Sequence, residues 1–190
     1  MTIRPITIYG EPVLHAVTRE VTVIDDDLQT LIDDMFETQD AAHGVGLAAT
    51  QVGVGLRLFT YEFANDDGVP ERGVVINPRL QLGKVSKVLP DPDEESEGCL
   101  SVPGATYPLK RAEWVRVTGL DRNGEPLDFE ATGWFARVMQ HETDHLDGKL
   151  YVDRLEDRYK KRAFKFMKNR HWLVPGNTWT PGEDEDPFGH

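Results

Sequence analysis

The stretch QHETDHLDG, residues 140–148, has the residue types and the spacing of a metal site. His141 and His145 are four positions apart, and on a helix such side chains lie on one face, about 5–6 Å from each other. Both imidazoles can then reach one ion at roughly 2.1 Å. Glu142 is turned about 100° further around the helix, which suits a base acting on a water molecule at that ion. The pattern predicts a catalytic metal site; the alternative is two surface histidines on a charged helix.

A metal held by two histidines needs a further protein ligand, and two positions compete for that role. In one large group of metallopeptidases the motif extends to His-Glu-X-X-His-X-X-Gly-X-X-His. Here Gly148 matches the glycine, but Tyr151 stands at the last position, and a neutral phenol is a poor substitute for imidazole. Cys99, in EGCLSVPG, is the other candidate, since a thiolate binds iron(II) or zinc strongly. A lone cysteine is by itself better explained as a small buried side chain, although its Gly and Pro neighbours indicate an unusual backbone path.

A third stretch, GVGLAATQVG at residues 44–53, is rich in glycine and alanine. It does not fit a nucleotide-binding loop, because no strand precedes it and it lacks the lysine-serine pair. A packing turn of small residues is the simplest interpretation. Small residues also let a substrate backbone approach closely, and Gln51 can direct an amide donor into a site.

These stretches need helices and strands to position them, and the apolar periodicity predicts both. Helices are expected over residues 25–43, 134–146 and 155–170. Strands are expected at 56–63, 73–78, 114–121 and 127–133, the last two joined by an Asn-Gly turn. Strands followed by the motif helix predict an α+β fold, with mainly antiparallel β-sheets packed around a central helix that carries the His-Glu-X-X-His motif.

Composition narrows the class of protein. The 190 residues carry a net charge of −12, with 39% hydrophobic and 28% charged residues, as in a globular protein. The acidic balance argues against DNA as a partner. One cysteine, no signal-peptide pattern and no apolar run of about 18 residues predict a cytoplasmic protein without a membrane segment. We expect a single domain over residues 1–175 and an acidic, Gly/Pro-rich mobile tail over 176–190.

Together the three stretches resemble the three signature motifs of the peptide deformylase family. They read Gly-X-Gly-Leu-Ala-Ala-X-Gln at 44–51, Glu-Gly-Cys-Leu-Ser at 97–101, and Gln-His-Glu-X-Asp-His-Leu at 140–146. Their order and spacing also match, and the resemblance extends over residues 4–152. It implies removal of the formyl group from the N-terminal formyl-methionine of newly made proteins, with release of formate.

The resemblance also implies roles for single residues. Cys99, His141 and His145 would hold one divalent metal, Fe2+ in most members, with Zn2+, Ni2+ or Co2+ able to replace it. Glu142 would take a proton from water and deliver it to the leaving amine, which leaves badly as an anion. The tetrahedral oxyanion would be bound by the Gln51 side-chain amide and the Leu100 backbone N–H.

Substrate binding is implied in the same way. Gly46 and the main chain around Glu97, Gly98 and Cys99 resemble segments that pair with the peptide as an extra strand, which is largely blind to side chains. The methionine side chain would enter an apolar pocket; the matching positions are Val45, Trp134 and Val138, for which plain core packing is the alternative. Behind the metal site we predict that Arg111 pairs with Glu97.

The remaining features concern partners and alternatives. The segment 154–170 is basic within an acidic protein, which fits either a solvated amphipathic helix or a transient contact with ribosomal RNA. We expect a monomer that acts on N-formyl-methionyl nascent peptides. The alternative functions are an endopeptidase, which Tyr151 disfavours, and an inactive metal-storing or peptide-binding module, which the presence of Glu142 and Gln51 disfavours.

Overall fold

A five-stranded antiparallel sheet is the framework of the fold in the computed structural model, which describes residues 2–64, 70–185 and 188. The strands are β1 (Ile6–Thr7), β2 (Gly46–Ala48), β3 (Leu58–Ala64), β4 (Pro70–Leu82), β5 (Ser96–Glu97), β6 (Tyr107–Pro108), β7 (Trp114–Leu120), β8 (Pro126–Thr132) and β9 (Thr178–Trp179). The helices are α1 (Asp26–Ala41), α2 (Gly133–Leu146), α3 (Tyr151–Arg154) and α4 (Asp157–Asn169). The large sheet has the order β2-β3-β4-β7-β8, and β1 pairs with β9 and β5 with β6.

The large sheet is covered by a helix on each face, and strand β4 shows why. Side chains alternate between the two faces of a strand. Val74 and Ile76 therefore pack with α1, whereas Val75 packs with the apolar side of α2. All three are buried, which a strand that is covered on one face only would not require.

Local chemistry sets the ends of the two long helices. Asp25 caps α1 by accepting a hydrogen bond from the Leu28 backbone N–H at 3.0 Å. Helix α2 begins directly after β8 at Gly133, whose φ of 54° suits a residue without a Cβ. After α2 the chain turns at Gly148, with φ 71°, where a Cβ would lie 2.8 Å from the His15 carbonyl group. Helix α2 is thus held across the sheet in one orientation.

The predicted α+β class is confirmed, with α2 carrying the motif at the centre. The Asn-Gly turn joins β7 to β8 as expected, with Gly124 at φ 85°. The predicted strand 73–78 is longer in the structure and bends at Asn77, whose side chain bonds both backbone groups of Val21. Among the described residues, the helices lack the length and apolar run that crossing a bilayer requires.

The helix predicted from about residue 155 to about residue 170 is present as α4, which begins two residues later, at Asp157. The structure has α3 before it, then Leu155 with ψ 151°, and then α4 from Asp157. The extended backbone at Leu155 directs its side chain into the core formed with Leu150, Ala163 and Met167. Burial of an apolar side chain at the junction therefore outweighs continuation of the helix.

The segment after residue 175 contains β9, which the expected tail did not include. Trp179 is buried against Ile6 and Ile8, and its indole N–H donates to the Leu100 carbonyl at 2.9 Å. Residues 186, 187, 189 and 190 of the expected tail lie outside the described residues. The division of the chain at residue 176 remains a prediction.

Candidate metal centre and active site

Cys99, His141 and His145 converge at the centre of the molecule. Cys99 follows β5, and the two histidines lie one turn apart on α2, as their spacing predicted. One ligand atom from each residue lies within 4.8 Å of the other two, and Cys99 Sγ is 3.3 Å from His145 Nε2. The cysteine and His145 are buried, and His141 is largely so. These residues can therefore share one ion.

The donor set fits a transition metal. A thiolate with two imidazoles suits iron(II) or zinc. Burial and the neighbouring His141 lower the pKa of His145 well below its usual range, so that ring is neutral and has a free lone pair. Burial alone would lower the pKa of His141, but hydrogen bonds with Cys99 and Glu97 raise it well above its usual range. A metal that binds there must displace this proton, as metal binding generally does.

Glu97 orients the His141 ring. Its Oε2 lies 3.0 Å from His141 Nδ1, and since a carboxylate only accepts, Nδ1 carries the proton and Nε2 is left to bind a metal. The predicted pairing with Arg111 is present, at 2.8 and 2.9 Å to the two carboxylate oxygens. Burial acts to raise the pKa of Glu97, but its bonds to Arg111 and His141 hold it well below the usual range. Glu97 is therefore a permanent anion beside His141.

Glu142 lies next to the ligands with one oxygen unsatisfied. Its Oε2 is buried and has no hydrogen-bond partner among the described residues. Burial raises the pKa of this carboxyl to about 7, and the nearby His141 partly opposes the shift. A carboxyl with a pKa near neutrality exchanges protons readily at physiological pH, as a general base and acid must. Gly46 of β2 packs directly against it.

Gln51 directs its amide N–H groups toward the same centre. Its Oε1 accepts from the Ala48 backbone N–H at 2.9 Å, which fixes the orientation of the amide. Its Nε2 lies 3.3 Å from Ser101 Oγ and 3.6 Å from Cys99 Sγ. The short 3₁₀ turn Ala49–Val52 holds the residue in this position. The side chain is thus available as a donor beside the candidate metal ligands.

A cavity of about 320 Å³ opens above the ligands. Of the residues predicted for the site, His145 alone does not line it, and this residue is fully buried. The other predicted residues line it: Val45, Gly46, Gln51, Glu97, Gly98, Cys99, Leu100, Trp134, Val138, His141 and Glu142. Val45 and Trp134 are about half exposed at the rim, which does not fit the core-packing alternative for these two, whereas Val138 is buried.

Arg137 and Phe188 are among the cavity residues that sequence reasoning missed. Arg137 lies one turn before His141 and binds Glu97; the i, i+4 spacing on α2 was the available signal. Phe188 reaches the cavity from the end of the chain and stacks obliquely on Trp179 at 6.0 Å. No local pattern could have placed it there.

Tyr151 has a structural position. Its hydroxyl donates to the Ala105 carbonyl at 2.8 Å, and its ring is stacked 6.1 Å from that of His141. The phenol oxygen is therefore engaged by the backbone, and the ring packs against His141.

The fold and this centre together are those of a metal-dependent hydrolase. The family model for polypeptide deformylase matches residues 3–161. Curated peptide deformylases of Mycolicibacterium paratuberculosis and Mycolicibacterium smegmatis are each 55% identical over 197 residues, with 100% of both chains covered. Solved peptide deformylases are also similar. The one from Legionella pneumophila has a TM-score of 0.76 and 38% identity over 93% of this chain and all of its own. The one from Ehrlichia chaffeensis, in complex with actinonin, has a TM-score of 0.77 and 33% identity over 90% of this chain and 98% of its own.

The chain belongs to the polypeptide deformylase family. It is accordingly a metal-dependent hydrolase that removes the N-formyl group from newly synthesised peptides. The resemblance inferred from the three motifs is thereby confirmed, and the endopeptidase alternative is not supported.

Proposed function

We propose that Cys99, His141 and His145 hold one Fe2+ ion and that Glu142 carries the proton during hydrolysis of the formyl amide. A divalent ion in such a set supplies Lewis-acid chemistry, lowering the pKa of water from about 15.7 toward 7 and polarising a carbonyl. The observation that carries the proposal is the buried Glu142 carboxyl, unsatisfied at Oε2 and directly beside the three converging ligand atoms.

Glu142 serves both halves of the reaction. As water attacks the formyl carbon, its oxygen forms the new C–O bond and its proton passes to the carboxylate. The same carboxyl then gives the proton to the amide nitrogen as the C–N bond breaks. Formate and the free amine of methionine are released, and Glu142 returns to its starting state. A pKa near 7 suits a group that must accept and then donate within one turnover.

Gln51 and the Leu100 backbone N–H are the proposed donors to the tetrahedral oxyanion. The amide of Gln51 is oriented before substrate arrives, because its oxygen is already bound to Ala48. Preorganised donors stabilise developing charge without reorganisation, and the loss of one costs about 10²–10³ in rate.

The peptide is proposed to bind as an added strand between two edges. Strand β2 forms one edge of the five-stranded sheet, and Gly46 of that strand lines the cavity. On the other side the cavity is lined by β5 and the following Gly98. Backbone pairing gives affinity with little dependence on sequence, which suits an enzyme with many N-termini to process. The methionine side chain is placed against Val45, Trp134 and Val138.

The cellular setting is part of the proposal. The enzyme is expected in the cytoplasm, because its substrate emerges from the ribosome. It is also expected to be a monomer without membrane or DNA partners. Lys161, Arg162, Lys165 and Lys168 are exposed on α4, and they are the candidate contact with ribosomal RNA. Light scattering after gel filtration tests the oligomeric state.

The decisive experiment combines metal counting with formate release. Protein purified without oxygen is expected to hold about one iron per chain and to release formate from formyl-Met-Ala-Ser. In Glu142→Gln the metal content should remain while kcat falls about 10²–10⁴-fold. The matched control is Glu125→Gln, at an exposed glutamate in the β7–β8 turn, which should behave as wild type. A Glu142→Gln variant that keeps its kcat would contradict the proposal. Finding zinc instead of iron would change the identity of the metal and leave the proposed roles of the residues as they are.

A further inference from the structure

Arg137 is a buried arginine on α2 whose guanidinium is enclosed by polar groups. The residue is 7% exposed. Its Nη1 lies 2.6 Å from Glu97 Oε1 and 2.7 Å from the Leu109 carbonyl oxygen. Its Nη2 lies 3.6 Å from Glu95 Oε1. Moving a charged side chain out of water costs free energy unless the charge is paired. The pairing of Arg137 offsets that cost and raises the question of what the buried charge does.

Arg137 belongs to a network of buried carboxylates and guanidinium groups. Glu97 and Asp144 are both buried carboxylates. Arg111 is shared between them, with Nε and Nη2 on Glu97 and Nη1 on Asp144 at 2.5 Å. Asp144 is also paired with Arg154, whose Nη2 lies 2.5 Å from its Oδ1. Arg137 adds a further positive charge at Glu97, on the oxygen that does not bind the histidine.

The position of Arg137 along α2 links it to the metal ligand. It lies four residues before His141, so both side chains leave the same face of the helix. Arg137 binds Glu97 Oε1, and the His141 ring binds Oε2 of the same carboxylate. Arg111 contacts both oxygens of Glu97 as well, so Arg137 is the second arginine that holds this carboxylate, and with it the direction of the His141 ring.

The other ligand histidine lacks such support. His145 Nδ1 is buried and has no hydrogen-bond partner among the described residues, so apart from the contact of its Nε2 with Cys99 Sγ that ring is oriented by packing. His141 is thus the histidine whose orientation depends on polar partners. Outer partners of ligand histidines commonly change metal affinity or activity by about 10–100-fold when removed.

We propose that Arg137 is a positioning residue for the deformylase reaction: by holding Glu97, it fixes the His141 ring in the direction that binds the metal. This rests on the proposed ligand role of Cys99, His141 and His145. Arg137 also lies 5.1 Å from the centre of the Trp134 ring at the cavity rim, so an effect on substrate binding is the competing explanation.

The test compares Arg137→Met and Arg137→Lys with wild type by two readouts besides activity. One is the loss of metal to a competing chelator, and the other is the visible absorption of the Co2+-substituted protein, which reports the geometry of the ligands. Arg137→Met should weaken metal retention about tenfold, shift the Co2+ spectrum and lower kcat, with KM within twofold. Arg137→Lys keeps the charge and should recover part of each loss. Arg116→Met removes an exposed arginine paired with Asp128 and is the matched control, expected to change none of these.

Each other outcome overturns the proposal. Unchanged metal retention and spectrum with a lower melting temperature would make Arg137 structural only, and a rise in KM alone would assign it to the substrate rim through Trp134. If Arg137→Met does not fold, Arg137→Lys carries the same comparison. In a double-mutant cycle, Arg137→Met added to Glu97→Gln should change kcat less than twofold, and multiplicative effects would show that it does not act through Glu97. Wild-type protein that binds no metal would instead overturn the ligand set itself.

Discussion

Gly46 and Glu142 are packed against each other so closely that no side chain fits between them. A Cβ placed on Gly46 would lie 2.5 Å from Glu142 Oε1 and 2.8 Å from its Cδ. The edge strand that lines the cavity thus touches the carboxylate that we assign to proton transfer. The φ angle of Gly46 is not positive, so its backbone conformation does not require a glycine. The close approach of Glu142 does require one.

Gly46→Ala should therefore displace Glu142 and lower kcat. A contact of 2.5 Å must be relieved, and a shift of about 1 Å in a reacting group can cost roughly 10²-fold in rate. Steady-state formate release gives the value. Gly55→Ala is the control, because a Cβ there meets nothing within 4 Å and kcat should stay within twofold of wild type. A Gly46→Ala enzyme with normal kcat would mean that Glu142 is free to move without loss.

Gln51→Glu separates the donor role of this side chain from its structural role. The glutamate keeps the oxygen that accepts from Ala48 but loses the amide N–H groups. We expect kcat to fall about 10²–10³-fold with KM nearly unchanged, as for the loss of one oxyanion donor. Gln81→Glu makes the same change at an exposed position on β4 and should be silent. A large rise in KM with normal kcat would place Gln51 in ground-state binding instead.

Charge reversal on α4 tests the ribosome contact. Truncation of this helix would also remove Ala163 and Met167 from the core, so it is a poor test. The triple variant Lys161→Glu, Lys165→Glu, Lys168→Glu changes exposed residues only and should abolish salt-sensitive pelleting with ribosomes. Its kcat on a short formyl peptide should stay within twofold.

The control for that variant reverses charge elsewhere. Lys84 and Lys87 are exposed and distant in sequence from α4, so Lys84→Glu, Lys87→Glu should pellet with ribosomes as wild type does. Equal loss of ribosome pelleting in both variants would indicate a response to net charge. Pelleting that is unchanged in both would leave α4 as a solvated amphipathic helix.

The segment around Trp179 should contribute to stability. Trp179→Ala removes a buried indole and its hydrogen bond to Leu100, so the free energy of unfolding should fall by about 3–5 kcal/mol. Val174→Ala, at an exposed position, should change it by less than about 0.5 kcal/mol. Urea unfolding measures both. The backbone N–H of Ile8 donates to the Asn177 carbonyl and should exchange slowly with solvent hydrogen. Fast hydrogen exchange there, with a Trp179→Ala variant of unchanged stability, would support the mobile tail instead.

The class of chemistry, the framework and the family could be predicted from the sequence. Histidines at i and i+4 must share a face of any helix, alternating apolar runs must form strands that bury one or both sides, and Asn-Gly must turn. These are local rules, and they placed α1, α2 and the β7–β8 hairpin close to where the structure has them. The three motifs added the expected partners of the histidines.

The surroundings of those residues depend on how distant segments of the chain pack together. The start of α4 was set by burial of Leu155, and the strand at Thr178–Trp179 by a partner more than 170 positions earlier. Arg111 is shared between Glu97 and Asp144, and Arg137 also pairs with Glu97. These ion pairs join segments that are far apart in the chain. Such contacts depend on how the elements pack and on which charges must be neutralised away from water, and no local pattern encodes that.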